Sequence, residues 1–250
     1  MQRDPFLTFA YGLLVISSIF LIIIFVSVPD FQDEAVRAPE IASDPAQKAA
    51  KPTMDVNKKK KRFRSLLVPA VDKVYAELQQ RYIDVAKAIE RGADENEFAE
   101  LREKYRAEDN EALLAALKPH PKSIALAQAA MESSWATSRF FDEANNVFGI
   151  WSFNKNEPRL AAGEKRGDKT IWVKKYPSIA ASVEDYYRTL ARGSAYSEFR
   201  QLKLQTDDPY QLVKKLDRYS EKGAAYGEEL SAIIKHNNFD QFDQQVPAGR

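Results

Sequence analysis

Three residues carry most of the chemical information in this chain. Gln128, Glu132 and Trp135 fall at i, i+4 and i+7, so on a helix they share one face. The segment that carries them, Ile124-Ala125-Leu126-Ala127-Gln128-Ala129-Ala130-Met131, is apolar on every side except at Gln128, which predicts a buried central helix opened by Ser123. A carboxylate at the end of such a helix is expensive unless it faces a cleft. Desolvation disfavours its ionised form and raises its pKa, which suits a general acid near neutral pH. An aromatic neighbour on the same face suits a carbohydrate groove, because sugar faces pack on flat rings. The same spacing is also what a solvated helix end followed by a core tryptophan would give.

Other chemistries have few residues to work with. The chain has no cysteine and two histidines, His120 and His236. Thiolate metal sites, iron–sulfur clusters and cysteine nucleophiles are therefore excluded, and neither histidine belongs to a ligand-spaced cluster. No metal and no organic cofactor is implied. With nine glycines and no phosphate-cradling motif, no nucleotide site is expected. A net charge of +1 over 250 residues argues against a nucleic-acid partner.

Around the central helix the pattern is mostly helical. Ser65 is a candidate cap for a helix ending near Gly92, Asp94 with Glu97 for a second, and Glu111 to Leu117 forms a third that stops before Pro119 and Pro121. Two β-prone runs, Phe148 to Phe153 and Thr170 to Tyr176, predict a small hairpin. Helices return over Ile179–Ala191, Ala195–Leu204, Pro209–Leu216 and Ala224–His236. The expected class is α+β, mostly helical.

Mean hydropathy of −0.47 describes a water-soluble body, but residues 6–28 hold no charge and are dominated by Leu, Val, Ile and Phe. At about 1.5 Å per residue this run spans a hydrocarbon core of roughly 30 Å. Its length and the poor cleavage signature at Ser27-Val28-Pro29 favour a retained anchor in the lipid bilayer over a cleaved signal peptide. Flanking charges favour a cytoplasmic N-terminus, placing the body on the periplasmic or extracytoplasmic side of the cytoplasmic membrane. Residues 29–62, proline-rich and short of aromatics, read as a disordered leash reaching about 30 Å as a coil and about 110 Å extended. Its Lys58–Arg62 cluster is either a solvated linker end or a contact for anionic lipid or another anionic polymer. The remainder divides into a helical lead-in, 63–121, a main domain, 122–240, and a tail, 241–250.

The stretch Leu126 to Trp135, followed by Asn145-Asn146-Val147-Phe148-Gly149, resembles the glucosaminidase domain of bacterial peptidoglycan hydrolases. Tyr219-Ser220-Glu221-Lys222-Gly223-Ala224-Ala225-Tyr226 and Ile233 to Asn237 narrow the similarity to Bax-type proteins. The resemblance covers about residues 63–240 and implies a lysozyme-like fold with a small β-lobe. It implies that Glu132 protonates the leaving oxygen of a β-1,4 bond next to N-acetylglucosamine in peptidoglycan glycan strands. Tyr219 matches the family's active-site tyrosine, with a role in positioning Glu132 or polarising the attacking group. Gln128, Trp135, Asn146, Phe148, Trp151 and Tyr226 are candidate substrate-binding residues. Ala136 stands where the family usually has glycine.

The second acid is open. Retaining chemistry needs one about 5–5.5 Å from the first and inverting chemistry about 6.5–9.5 Å, whereas substrate assistance needs no second nucleophile. The β-lobe offers Glu157, Glu164 and Asp168, with Glu164 and Asp168 preferred. Two other readings remain at this point: a wall-binding or scaffolding module without catalysis, and a helical membrane-associated interaction protein.

Overall fold

The computed structural model describes residues 54–166 and 169–244. The anchor expected at 6–28 and the first part of the leash lie outside them. Among the described residues no helix is long and apolar enough to cross a membrane.

Helix α1 (Val56–Glu90) begins nine residues before Ser65, because the Asp55 side chain accepts the backbone N–H groups of Asn57 and Lys58. An aspartate cap upstream of helix-tolerant lysines starts the helix first. Residues 56–62 therefore belong to the folded body and not to the leash. Helix α2 (Ala99–Tyr105) follows a 3₁₀ turn capped by Asp94, and α3 (Asn110–Leu117) is capped by Asp109.

Helix α4 (Lys122–Glu132) is buried from Lys122 to Ala130. Its alanines at 125, 127, 129 and 130 let neighbouring backbones come close, so the helix fits inside the body. The N-terminus of α4 is capped from far along the chain: Ser123 N–H donates to Asp243 Oδ1 at 2.8 Å. Phe242 packs on the core as well. The tail expected to begin at 241 is thus ordered structure through these residues. The boundary expected at 121/122 is not a break either, since Phe63, Leu67, Val71 and Val74 of α1 share one apolar core with α4.

Helix α5 (Arg139–Ala144), capped by Ser138, was not anticipated. At six residues it is too short for a periodic signal. Strands β1 (Arg159–Arg166) and β2 (Lys169–Lys174) form one antiparallel hairpin pairing Arg159 with Lys174 and Ala161 with Trp172, with a bulge before Lys165 pairs with Thr170. The first strand is not Phe148–Phe153. Val147, Phe148 and Ile150 are buried in the helical core, and only Trp151 bridges to Val173. The partner of β2 is instead a polar segment, which an exposed two-stranded hairpin tolerates because its ladder needs backbone groups rather than apolar side chains. Arg139 of α5 ties β1 down by donating to the Ala161 and Ala162 carbonyls. Asp185 ties β2 to the next helix through Lys174, Tyr176 and Arg188.

The chain closes with α6 (Ile179–Arg192), α7 (Ser197–Gln205), α8 (Pro209–Leu212) and α9 (Ala224–His236). Gly227 permits the approach of α9 to the 213–215 turn, since a Cβ there would meet the Val213 carbonyl oxygen at 2.7 Å. The architecture is α+β, mostly helical, with a single small hairpin.

Candidate active site

Glu132 is the last residue of α4, and the backbone beyond it turns sharply. Trp135 N–H reaches back to the Ala130 carbonyl at 2.8 Å and Ser134 N–H to Met131 at 3.3 Å, the pattern of a Schellman end. Ser134, Trp135 and Ala136 all have positive φ, at 51°, 63° and 60°. Side-chain bonds hold this left-handed run. Ala136 N–H donates to Ser133 Oγ at 2.8 Å, Ser133 Oγ donates to Ala129, and Arg62 of α1 donates to the Ala136 carbonyl. Lys60 lies over the Trp135 ring at 5.0 Å. Part of the basic cluster of 58–62 therefore packs on the loop after Glu132.

Glu132 as a residue is half-buried, and protein packs closely around its carboxylate. Burial is the main cause that lifts its pKa from the ordinary 4.5 to about 8. A hydrogen bond from Tyr226 and the charge of Lys222 oppose the rise, and Glu229 adds to it. Its place at a helix C-terminus, the negative end of the dipole, acts in the same direction as burial. At neutral pH Glu132 carries its proton, as a general acid requires.

Tyr226 of α9 is fully buried, donates to Glu132 Oε1 at 2.8 Å and accepts from Gln128 Nε2 at 2.9 Å. Tyr219 is also buried and stacks on Tyr226, with ring centroids 5.4 Å apart. Its pKa is pushed well up, first by burial and then by the Glu132 charge. The tyrosine bonded to the acid is thus Tyr226, and Tyr219 supports its ring.

The other expected residues divide. Gln128 is wholly buried and serves Tyr226 rather than a sugar. Phe148 is core, stacked on Tyr186 at 3.9 Å, because the turn at 146–150 folds inward. Asn146 is framework: its amide donates to the Ile150 and Lys174 carbonyls and its oxygen accepts from Ile150 N–H, leaving a buried clamp and no free group for a ligand. Trp135 is half-buried, edge-on to Phe63 at 5.2 Å, and contributes to an open cleft of about 500 Å³ lined also by Lys59, Met131, Glu229 and Ile233. Trp151 is half-buried beside Phe153, which is 69% exposed. Phe153, which the sequence assigns to a strand and not to the site, presents this exposed ring because Phe148–Phe153 does not form that strand.

Of the acids on the hairpin side, Glu157 accepts from Ser152 Oγ at 2.7 Å. Glu164 lies in β1 at the bulge, and Asp168 falls outside the described residues. Among the described residues no group of three or more metal-ligating side chains is placed to hold an ion.

Residues 107–239 match the glucosaminidase family, described as mannosyl-glycoprotein endo-beta-N-acetylglucosaminidase. The chain belongs to this family. The match contains α4, the hairpin and all of α9, and so includes Glu132, Tyr219 and Tyr226. The domain is similar to exo-glucosaminidase LytG of Bacillus subtilis (strain 168), at 28% identity over 142 residues, covering 50% of this chain and 47% of that protein. It is also similar to Protein bax of Escherichia coli (strain K12), at 32% identity over 123 residues, covering 47% and 43%. The aligned region spans less than half the length of either relative. Among solved structures, the catalytic domain of the autolysin Auto from Listeria monocytogenes aligns with a TM-score of 0.42 and 20% identity, over 77% of this chain and all of that one.

Proposed function

We propose that this glucosaminidase domain is a peptidoglycan hydrolase of lysozyme-like architecture that cuts a β-1,4 bond next to N-acetylglucosamine, with Glu132 as general acid. The observation that carries the reading is the carboxyl at the end of a buried helix, its pKa raised to about 8 and one oxygen held by Tyr226. The family match and the similarity to LytG, an exo-glucosaminidase, support the substrate class. Glu132 Oε2 gives its proton to the glycosidic oxygen as the bond to the anomeric carbon breaks. Trp151 and Phe153 offer flat faces for sugar rings, and Trp135 a third beside the open cleft. Glu164 and Asp168 are the proposed second acids, with assistance by the substrate's acetamido oxygen as the alternative that needs neither.

The apolar run at 6–28 supports a single-pass anchor in the cytoplasmic membrane, with the domain on the periplasmic or extracytoplasmic side. The leash from 29 toward Asp55 then sets its reach to the glycan.

Muropeptide mass spectrometry after digestion of sacculi by the full-length chain, compared with Glu132→Gln, tests the reading. Products with new glycosidic ends from the unaltered protein and none from the variant are expected, and their termini identify the bond and distinguish endo from exo action. Equal products from both would remove Glu132 from the role. Binding to sacculi with no products from either would favour a wall-binding module.

A further inference from the structure

Beyond Gln128 the hydrogen bonds continue away from the acid. The Tyr186 hydroxyl of α6 donates to Gln128 Oε1 at 2.5 Å, and His120 Nε2, in the loop before α4, lies 3.0 Å from that hydroxyl. His120, Gln128, Tyr186 and Tyr226 are each at most 1% exposed. Water therefore does not compete for these bonds. A phenol has one proton to give. Tyr186 gives its proton to Gln128, so from His120 it can only accept, and His120 must carry a proton on Nε2. Burial first, and then the Lys203 ammonium, hold the His120 pKa well below its ordinary value. The imidazole is neutral, and Nδ1 is bare.

Every bond then points the same way. His120 Nε2–H donates to Tyr186, Tyr186 to the Gln128 carbonyl, the Gln128 amide to Tyr226, and Tyr226 to Glu132 Oε1. We infer that His120 is a positioning residue for the acid: its Nε2–H tautomer sets the direction of this chain, which occupies Glu132 Oε1 and leaves the acidic proton on Oε2. The opposite tautomer would reverse every link. Nε2 would accept from Tyr186, the Gln128 amide would flip, Tyr226 would donate to Gln128, and the Glu132 proton would sit on Oε1, bonded inward to Tyr226. Only the observed direction leaves a proton free for a glycosidic oxygen. This inference rests on the reading of Glu132 as an acid.

The charged and titratable groups at both ends are few. Glu132 faces Tyr226, Lys222 and Glu229, and its charge also reaches Tyr186, Tyr196 and Tyr219. His120 faces Tyr186 and Tyr187 of α6 and Lys203 of α7. Lys203 donates to the Lys118 carbonyl, and burial, aided by Arg200 and Lys118, pulls its pKa down to about 7.

The chain has two histidines, and His236 is exposed, so full-length His236→Gln labelled with ¹⁵N-histidine retains a single imidazole signal. Long-range ¹H–¹⁵N correlation spectra, recorded on both sides of the Lys203 titration, should show Nε2 protonated and Nδ1 bare. An Nδ1–H tautomer or an imidazolium would overturn the inference while leaving the acid assignment intact. In the activity arm, His120→Met removes the donor and His120→Gln supplies another N–H. On soluble glycan fragments the Met variant should lose about three- to tenfold in kcat at unchanged KM. Its alkaline limb should move to higher pH, and Gln should recover most of both. Equal losses in the two variants with an unmoved limb would show a packing role only. Inactivity of the unaltered protein would count against the proposed function alone, and the spectrum would still decide the tautomer.

Discussion

The Tyr226 hydroxyl, on α9, lies 2.8 Å from Glu132 Oε1, at the end of α4, joining residues 94 positions apart in the chain. A neutral partner in that place gives the carboxyl a donor without a full positive charge. Its ionised form is therefore only partly stabilised, and burial keeps the pKa near 8. A lysine at the same distance would have made a permanent carboxylate.

That elevated pKa makes stability depend on pH. The Glu132 value of about 8 lies above the ordinary 4.5. Between them the folded chain holds a proton the unfolded chain has released. The contribution is complete below the lower value and is lost as pH rises through the upper one, at about 1.4 kcal/mol per pH unit. Denaturant titrations should show Glu132→Gln matching the unaltered protein near about pH 5 and exceeding it by roughly 4 kcal/mol near about pH 9. Activity of this variant should fall by about a hundredfold or more at every pH.

Tyr226→Phe removes the donor that lowers the Glu132 pKa and leaves the Gln128 amide short of an acceptor. Its alkaline activity limb should move up in pH, kcat should fall about tenfold, and stability should drop by about 1–3 kcal/mol. Tyr219→Phe keeps the stacked ring and should leave the limb in place. A pH–rate profile of the pair separates the two tyrosines.

Aromatic substitutions should sort by burial. Phe148→Ala opens a hole against Tyr186 and should cost about 3–5 kcal/mol in denaturant unfolding. Phe153→Ala, on the surface, should stay within about 0.5 kcal/mol. If Phe153 meets the glycan, its truncation raises KM on glycan fragments with kcat little changed.

Ala136 sits at φ 60° with its methyl buried. Glycine relieves the left-handed strain but gives up that methyl and adds unfolded-state entropy. The terms are of similar size, so Ala136→Gly should change stability by less than about 1 kcal/mol. A β-branched residue has no such compensation, and Ala136→Val should cost more than about 2 kcal/mol. Thermal melts of the two variants check this.

The sequence by itself determined the local features. The all-round apolar pattern of 124–131 marked the buried helix, the carboxylate at its end stood out as the candidate acid, and Ala224–His236 was placed to the residue. Periodicity and side-chain chemistry act over one or two turns, so one segment at a time reveals them. Other features required the chain to fold back on itself. Phe148–Phe153 has strand propensity, yet burial of Val147, Phe148 and Ile150 in the helical core won, and hydrogen-bond geometry passed the pairing to a polar segment. The cap of α4 by Asp243, the clasp of Arg62 on Ala136, and the choice of Tyr226 over Tyr219 each join residues dozens to more than a hundred positions apart. Tyr219, in the turn before α9, and Tyr226, on α9, look equivalent as sequence, and only the packing of α9 against α4 decides that the Tyr226 hydroxyl reaches Glu132.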